Sequence, residues 1–361
     1  MLKEKICIII PSFKVGGGTR VFVELANKLC TTYKVSIAYP NNSNDTNNFV
    51  IDNSISLIKI GNNANSRIKK LCNLFRLVRY LNNNYCDSIV IYTDPLFSII
   101  ANFIRAKNKY RFIQADDYAM FDDGLILGSG ILLKLYKILA KRSYSYKCKY
   151  IFNSKYVYDR YVDISKRNDV PFRLVHPAIN PFFLSSPNER SEKINICLVA
   201  RKHPLKGLIT FIDAYRGLDT RLKEKLGKIY LISHDNLEAF DTRGMDIIVP
   251  RSDIEIANIY KSSDIFISTS WREGFGLPPI EAMGCGCAVI TSNSMGVNEY
   301  AIPNTNCLMF APKDVTELSQ CIQTLIEDGT LRKKLSAEGQ ATAKKFNWDR
   351  STKQLLDIIS C

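Results

Sequence analysis

The sequence predicts an α/β protein made of two doubly wound, Rossmann-like domains in series. Three observations carry this. The chain has 361 residues, more than one ordinary core holds and comfortable for two. Short apolar runs alternate with amphipathic helical stretches, which argues parallel sheets covered by helices. The alternation also stops once, at the Pro-, Ser- and charge-bearing stretch "NPFFLSSPNERSEK", and then restarts.

In the first half, "KICIIIP" reads as a buried strand and "GGTRVFVELANKLC" as a helix entered through glycine. "YKVSIAYP", "DSIVIYTD", "YRFIQAD" and "CKYIFNS" are further strands, and "SIIANFIRAK" is a helix. In the second half, "INICLVA", "KIYLIS", "DIFIST", "CAVIT" and "NCLMF" are strands. "LKGLITFIDAYRGL" and "SDIEIANIYKSS" are helices, and "LPPIEAMGCG" begins one, since proline suits a first turn. Residues 313–345 are helical, and 347–361 hold a last helix expected to cross back to the first domain. The expected division is 1–180, a linker at 181–193, and 194–346.

Composition narrows the function classes. Of the 49 Lys and Arg, 27 fall in residues 1–180, with only 13 of the 35 Asp and Glu, so that half carries the whole net charge of +14. It is expected to face something anionic. In "SRIKKLCNLFRLVRYL" (66–81), Leu71, Leu74, Phe75, Val78 and Leu81 share one helical face, with Lys69 and Arg76 opposite. In the stretch 131–149, Lys134, Lys137 and Lys141 align opposite Leu132, Leu135 and Leu139. Both helices are expected to offer basic faces to an anionic membrane surface, the alternative being ordinary solvated faces. Nucleic acid is disfavoured because no aromatic–basic module is present. The eleven cysteines are scattered, with no zinc spacing. With neither a signal peptide nor a membrane span recognisable, the expected location is cytoplasmic, peripheral on the inner face of the plasma membrane if the basic helices dock.

The chemistry concentrates in "EGFGLPPIE", where Glu273 and Glu281 bracket Gly274, Phe275, Gly276 and Leu277. Ligands of open parallel sheets bind where strand ends turn into helix starts. A glycine-rich helix start accepts anions, and a carboxylate accepts two hydrogen bonds from vicinal hydroxyls. Phosphate beside hydroxyl-rich rings describes a nucleotide-sugar. Arg201 and Lys206 follow the strand "INICLVA", so both can reach the same strand-end crevice. Gly16, Gly17 and Gly18 follow the first strand without G-x-G-x-x-G spacing, which disfavours a dinucleotide site.

"EGFGLPPIEAMGCGCAVITS" resembles the Glu-x7-Glu signature of retaining glycosyltransferases of family 4, which have the GT-B fold. "VARKHPLKGL", "SMGVNEYA" and "GGGTRVFVELANKL" are similar to further segments of that family. The resemblance implies two domains facing across a cleft and transfer of a hexosyl or deoxyhexosyl group with retention of configuration. It implies no cofactor and no essential metal. Glu281 would hold the ribose and Glu273 the donor sugar. Arg201 and Lys206 would hold the diphosphate, joined in donor binding by Gly274, Phe275, Gly276, Leu277, Glu299, Gly17 and Gly18. The acceptor, a saccharide or lipid-linked saccharide of bacterial surface polysaccharide assembly, would meet the first domain. There Gln114, followed by Asp116 and Asp117, stands where many relatives carry a histidine. Rival readings are a GT-B enzyme with a soluble small-molecule acceptor and a non-catalytic binding protein on the same fold.

Overall fold

The computed structural model describes residues 3–13, 16–41, 49–64, 66–93, 95–116, 131–184 and 192–360. The chain divides into two compact units, Met1–Pro177 with Trp348–Cys361, and Ala178–Asn347.

Unit 1 runs β1 (Lys5–Ile9), α1 (Gly17–Leu29), β2 (Lys34–Pro40), β3 (Ser56–Ile60), α2 (Arg67–Asn84), β4 (Ile89–Tyr92), α3 (Pro95–Ile100), β5 (Asn108–Ile113), α4 (Ile131–Ser143), β6 (Lys149–Phe152) and α5 (Lys155–Ser165). Unit 2 runs β7 (Ile194–Val199), α6 (Leu208–Arg216), α7 (Thr220–Glu224), β8 (Leu226–Ile232), β9 (Asp246–Ile248), α8 (Asp253–Lys261), β10 (Ile265–Ser268), α9 (Leu277–Gly284), β11 (Ala288–Ser292), β12 (Leu308–Phe310), α10 (Val315–Glu327) and α11 (Gly329–Ala343). Helix α12 (Trp348–Ile359) then returns to unit 1.

Each unit holds one six-stranded sheet, in the orders β3-β2-β1-β4-β5-β6 and β12-β11-β10-β7-β8-β9, with every pairing parallel. Both are doubly wound, with the strand order reversing at β1/β4 and at β7/β10. Such reversals open a crevice at the carboxyl ends of the central strands.

Helix α12 is tied to unit 1 by several bonds. Lys28 Nζ pairs with Asp349 at 2.8 Å, the Ser351 hydroxyl donates to the His176 carbonyl at 2.6 Å, and the His176 amide donates to Gln354 Oε1 at 3.1 Å. The first crossing between units falls at 177/178, ahead of the expected linker. Residues 181–183 form a 3-10 turn instead, and Ile179 and Phe183 are buried in the core of unit 2 with Tyr260 and Met283.

Two helix faces differ from expectation. Leu71 and Phe75 are exposed, as is Ile68, while α2 buries Asn73, Leu74, Leu77, Val78 and Leu81. The cause is Asn73, whose amide donates to the carbonyls of Asn41 (3.2 Å) and Asn62 (2.8 Å). Anchoring this polar residue inward turns Leu71 and Phe75 out. In α4, Leu135 and Ile138 are exposed, and Ala140 and Ser143 face inward, as does Tyr144 just after the helix. Ser143 is drawn in by the fully buried Arg111, whose Nη1 donates to its hydroxyl at 2.9 Å. Among the described residues no helix is long and apolar enough to cross a membrane.

Candidate active site

The candidate site lies in unit 2, past the carboxyl ends of β7 and β10, where the strand order reverses. After β7 the chain makes a 3-10 turn, Pro204–Lys206, and enters α6 through Gly207 at φ +64°. Only glycine fits there, because a Cβ would sit 2.1 Å from the Thr269 carbonyl oxygen. This turn is stitched to the segment after β10. The Thr269 hydroxyl donates to the Lys206 carbonyl at 2.9 Å, and the Trp271 amide to the Leu205 carbonyl at 2.8 Å.

That stitching brings Lys206 Nζ to 2.6 Å from Glu273 Oε1. The pair is partly exposed. An ammonium has three donors, so holding Glu273 leaves Lys206 capacity for an anion. Arg201 is anchored in the same way, its Nε donating to Asp235 Oδ2 at 2.9 Å. Asp235 also accepts from the Lys202 amide at 2.9 Å. Its partial burial would raise its pKa, but the Lys202 amide and the Arg201 guanidinium outweigh this and hold the carboxyl below its ordinary value. Both cations are therefore oriented by carboxylates.

The main chain of Glu273 is fixed from the other side. Its N–H donates to the Ser294 carbonyl at 2.9 Å, and its carbonyl accepts from Gly296 at 3.2 Å. Gly276, at φ +82°, then leads into α9, and the Tyr300 hydroxyl donates to the Gly276 carbonyl. Burial above all, with Glu273, Cys307 and Glu281 adding, pushes the Tyr300 phenol well above its usual range, which keeps it a donor. Glu281, on α9, is only 4% exposed.

Several expectations change. The Phe275 side chain is turned into the core, its ring 5.3 Å from Tyr300 and 5.7 Å from Phe346, so only its backbone can meet a ligand. Pro278 and Pro279 fill the first turn of α9 and have no N–H, which leaves fewer amide donors at this helix start than its glycines suggest. Glu299 ends a 3-10 turn, Gly296–Glu299, and is half-buried. Gly17 and Gly18 open α1 in unit 1, where the Gln114 Nε2 donates to the Gly18 carbonyl at 3.3 Å. Asp116 is not open to an acceptor. Its nearly buried carboxylate is paired with Arg160 Nε at 2.7 Å and accepts from the Tyr156 hydroxyl at 3.2 Å. Asp117 lies outside the described residues. Asp235 was missed by sequence reasoning; its only signal is its place just after β8. Among the described residues no cluster of three or more His, Cys, Asp or Glu could hold a metal.

Residues 243–342, which include the Glu273–Glu281 segment, match the family model described as glycosyl transferases group 1. An uncharacterised glycosyltransferase of Methanocaldococcus jannaschii is 32% identical over 177 residues, 46% of this chain and 45% of that protein. The chain thus spans less than half the length of the first curated relatives it matches. The N,N'-diacetylbacillosaminyl-diphospho-undecaprenol alpha-1,3-N-acetylgalactosaminyltransferase of Campylobacter jejuni is 25% identical over 298 residues, 77% of each chain. Among solved structures, sucrose-phosphate synthase from Thermosynechococcus elongatus superposes with a TM-score of 0.82 at 17% identity, covering 99% of this chain and 98% of the other. The chain therefore has a GT-B fold of two Rossmann-like units, and its second unit carries a segment of the glycosyl transferases group 1 type.

Proposed function

We propose that this protein is a retaining glycosyltransferase that moves a sugar from a nucleotide-sugar to a saccharide acceptor, lipid-linked, in bacterial surface polysaccharide assembly. The observation that carries the reading is the Lys206–Glu273 pair at the β7/β10 switch point, with Arg201 beside β7 and Glu281 on the helix that follows. Arg201 and Lys206 take the diphosphate, where negative charge grows as the sugar leaves. Glu273 orients the sugar and Glu281 binds the ribose. No carboxylate acts as a nucleophile. The acceptor attacks on the face the diphosphate leaves, and the departing phosphate oxygen takes its proton. No metal is required.

The acceptor meets unit 1 near Gln114. A lipid-linked acceptor is supported by the name of the Campylobacter relative, and by α2, which has no acidic residue and exposes Ile68, Leu71 and Phe75 among Lys69, Lys70, Arg76 and Arg79. Apolar and basic groups on one helix suit the surface of an anionic bilayer.

The test is a screen of UDP-, GDP- and dTDP-sugars, measuring release of nucleoside diphosphate with and without a chelator and the anomeric configuration of the product by NMR. One nucleotide class turned over with retention and without loss to the chelator is the expected result. Inversion would remove the retaining mechanism, and no turnover of any donor would remove the enzyme reading.

A further inference from the structure

Residues 294–296 form a tight turn in which the Gly296 N–H donates to the Ser294 carbonyl at 2.9 Å. Met295 between them has φ +67° and ψ −68°. This is the γ-turn of positive φ, rare and strained for any residue with a side chain, while glycine takes it freely. The same turn buries Ser294 fully and leaves its hydroxyl without a hydrogen-bond partner among the described residues, a second cost in one place.

Both costs are concentrated against Glu273. The turn accepts the Glu273 N–H, donates to the Glu273 carbonyl, and pairs Met295 with Glu273 as an isolated parallel bridge. The approach is close enough to require glycine at 296, since a Cβ there would lie 2.4 Å from the Gly274 backbone. Met295 itself is 46% exposed. An exposed side chain adds little core packing, and a strained backbone subtracts from stability, so the fold gains nothing from a methionine here. Local rules broken without a structural return point to the site they border.

The geometry points to Met295 as a specificity-determining residue of the donor site. Its backbone is bridged to Glu273 and its thioether side chain is half exposed, so it can offer an apolar wall that selects a donor sugar with a methyl-bearing substituent, such as a 6-deoxy or N-acetylated sugar. A sugar hydroxyl pressed against that wall would lose water and find no acceptor of comparable strength. This rests on the reading above that Glu273 faces the donor sugar.

The test uses the full chain and matched donors that differ in the methyl-bearing group, UDP-N-acetylglucosamine against UDP-glucose and a GDP- or dTDP-linked 6-deoxy sugar against its 6-hydroxy counterpart. Wild type is expected to favour the methyl-bearing member of the pair it uses by about tenfold or more in kcat/KM, the scale of one apolar contact. Met295→Gly and Met295→Ala should both lose most of that preference, and Met295→Leu should keep it. Met295→Gly should also raise the melting temperature and leave the affinity for free nucleoside diphosphate within about twofold, because it relieves strain away from the phosphates. A Met295→Gly protein with the wild-type preference, or a wild type that prefers the hydroxyl-bearing donor, overturns the proposal. A wild type that binds no nucleoside diphosphate in calorimetry overturns the donor-site reading instead, and the proposal with it.

Discussion

The two units share a strand order and differ in what they place at its carboxyl edge. In unit 2 the edge carries two ion pairs open to solvent, Lys206–Glu273 and Arg201–Asp235, in which the bases are 38% and 48% exposed. Among the described residues of unit 1, an ion pair at the corresponding edge is closed, with the Asp116 side chain 4% exposed beneath Arg160. Among the described residues, neutral amides stand beside it: Gln114, which reaches Gly18, and Asn153, whose amide donates to the Gln114 carbonyl at 2.6 Å. Topology therefore decides where a crevice falls, and the charge left open decides what it can take. An edge of half-exposed cations suits a diphosphate, whereas neutral amides suit hydroxyls.

The comparison is broken most strongly by removing the open cation. Lys206→Ala should lower kcat for donor turnover by about 10²–10³, the scale of one lost transition-state donor, whereas Gln114→Ala in unit 1 should cost about tenfold or less. Steady-state kinetics of both variants checks this, and a Lys206→Ala loss lying wholly in KM would contradict it.

The closed pair predicts the opposite behaviour. Arg160→Met should leave turnover chemistry intact but destabilise unit 1 by about 2–3 kcal/mol, because it removes the counter-charge of a nearly buried carboxylate. Urea unfolding followed by circular dichroism reads this, and an unchanged midpoint would show that the pair contributes nothing. Glu281→Gln keeps the volume of a buried side chain and removes its charge. It should weaken nucleoside diphosphate binding by about 1.5–2 kcal/mol in calorimetry, the strength of a hydrogen bond to a charged group.

The smallest effect is acid dependence at Asp235. Its folded pKa lies below the unfolded value of about 3.9, so its pair contributes stability that is fully present above about pH 4 and is lost as pH falls through the folded value. Because Arg201 is half exposed, that contribution is at most about 1 kcal/mol. The stability gap between wild type and Asp235→Asn should therefore close below pH 4 and stay flat from pH 5 to 8.

The sequence was informative where the chemistry is contiguous. Glu273 and Glu281 sit in one nonapeptide, and the strands around them are unbroken apolar runs, because strands buried on both faces read that way. It was silent where meaning comes from adjacency. Asp235 matters only because β8 lies beside β7, which brings it to Arg201 across 34 residues of chain. Strands β3 and β9 went unread because they are sheet edges, largely exposed, with no apolar pattern to betray them. The burial of the Phe275 ring went unread because flanking glycines suggest an open loop, whereas the ring completes a cluster with Tyr300 and Phe346 that depends on tertiary packing. The faces of α2 slipped because one buried asparagine outweighed the periodicity of its leucines.

We infer that the exposed ion pairs past β7 and β10 form the nucleotide end of a donor site. Amide hydrogen exchange on the full chain, with and without the nucleoside diphosphate that binds best, tests it most directly. Added protection is expected to concentrate in residues 200–207 and 273–281. Protection confined to other segments, or none at saturating nucleotide, would contradict it.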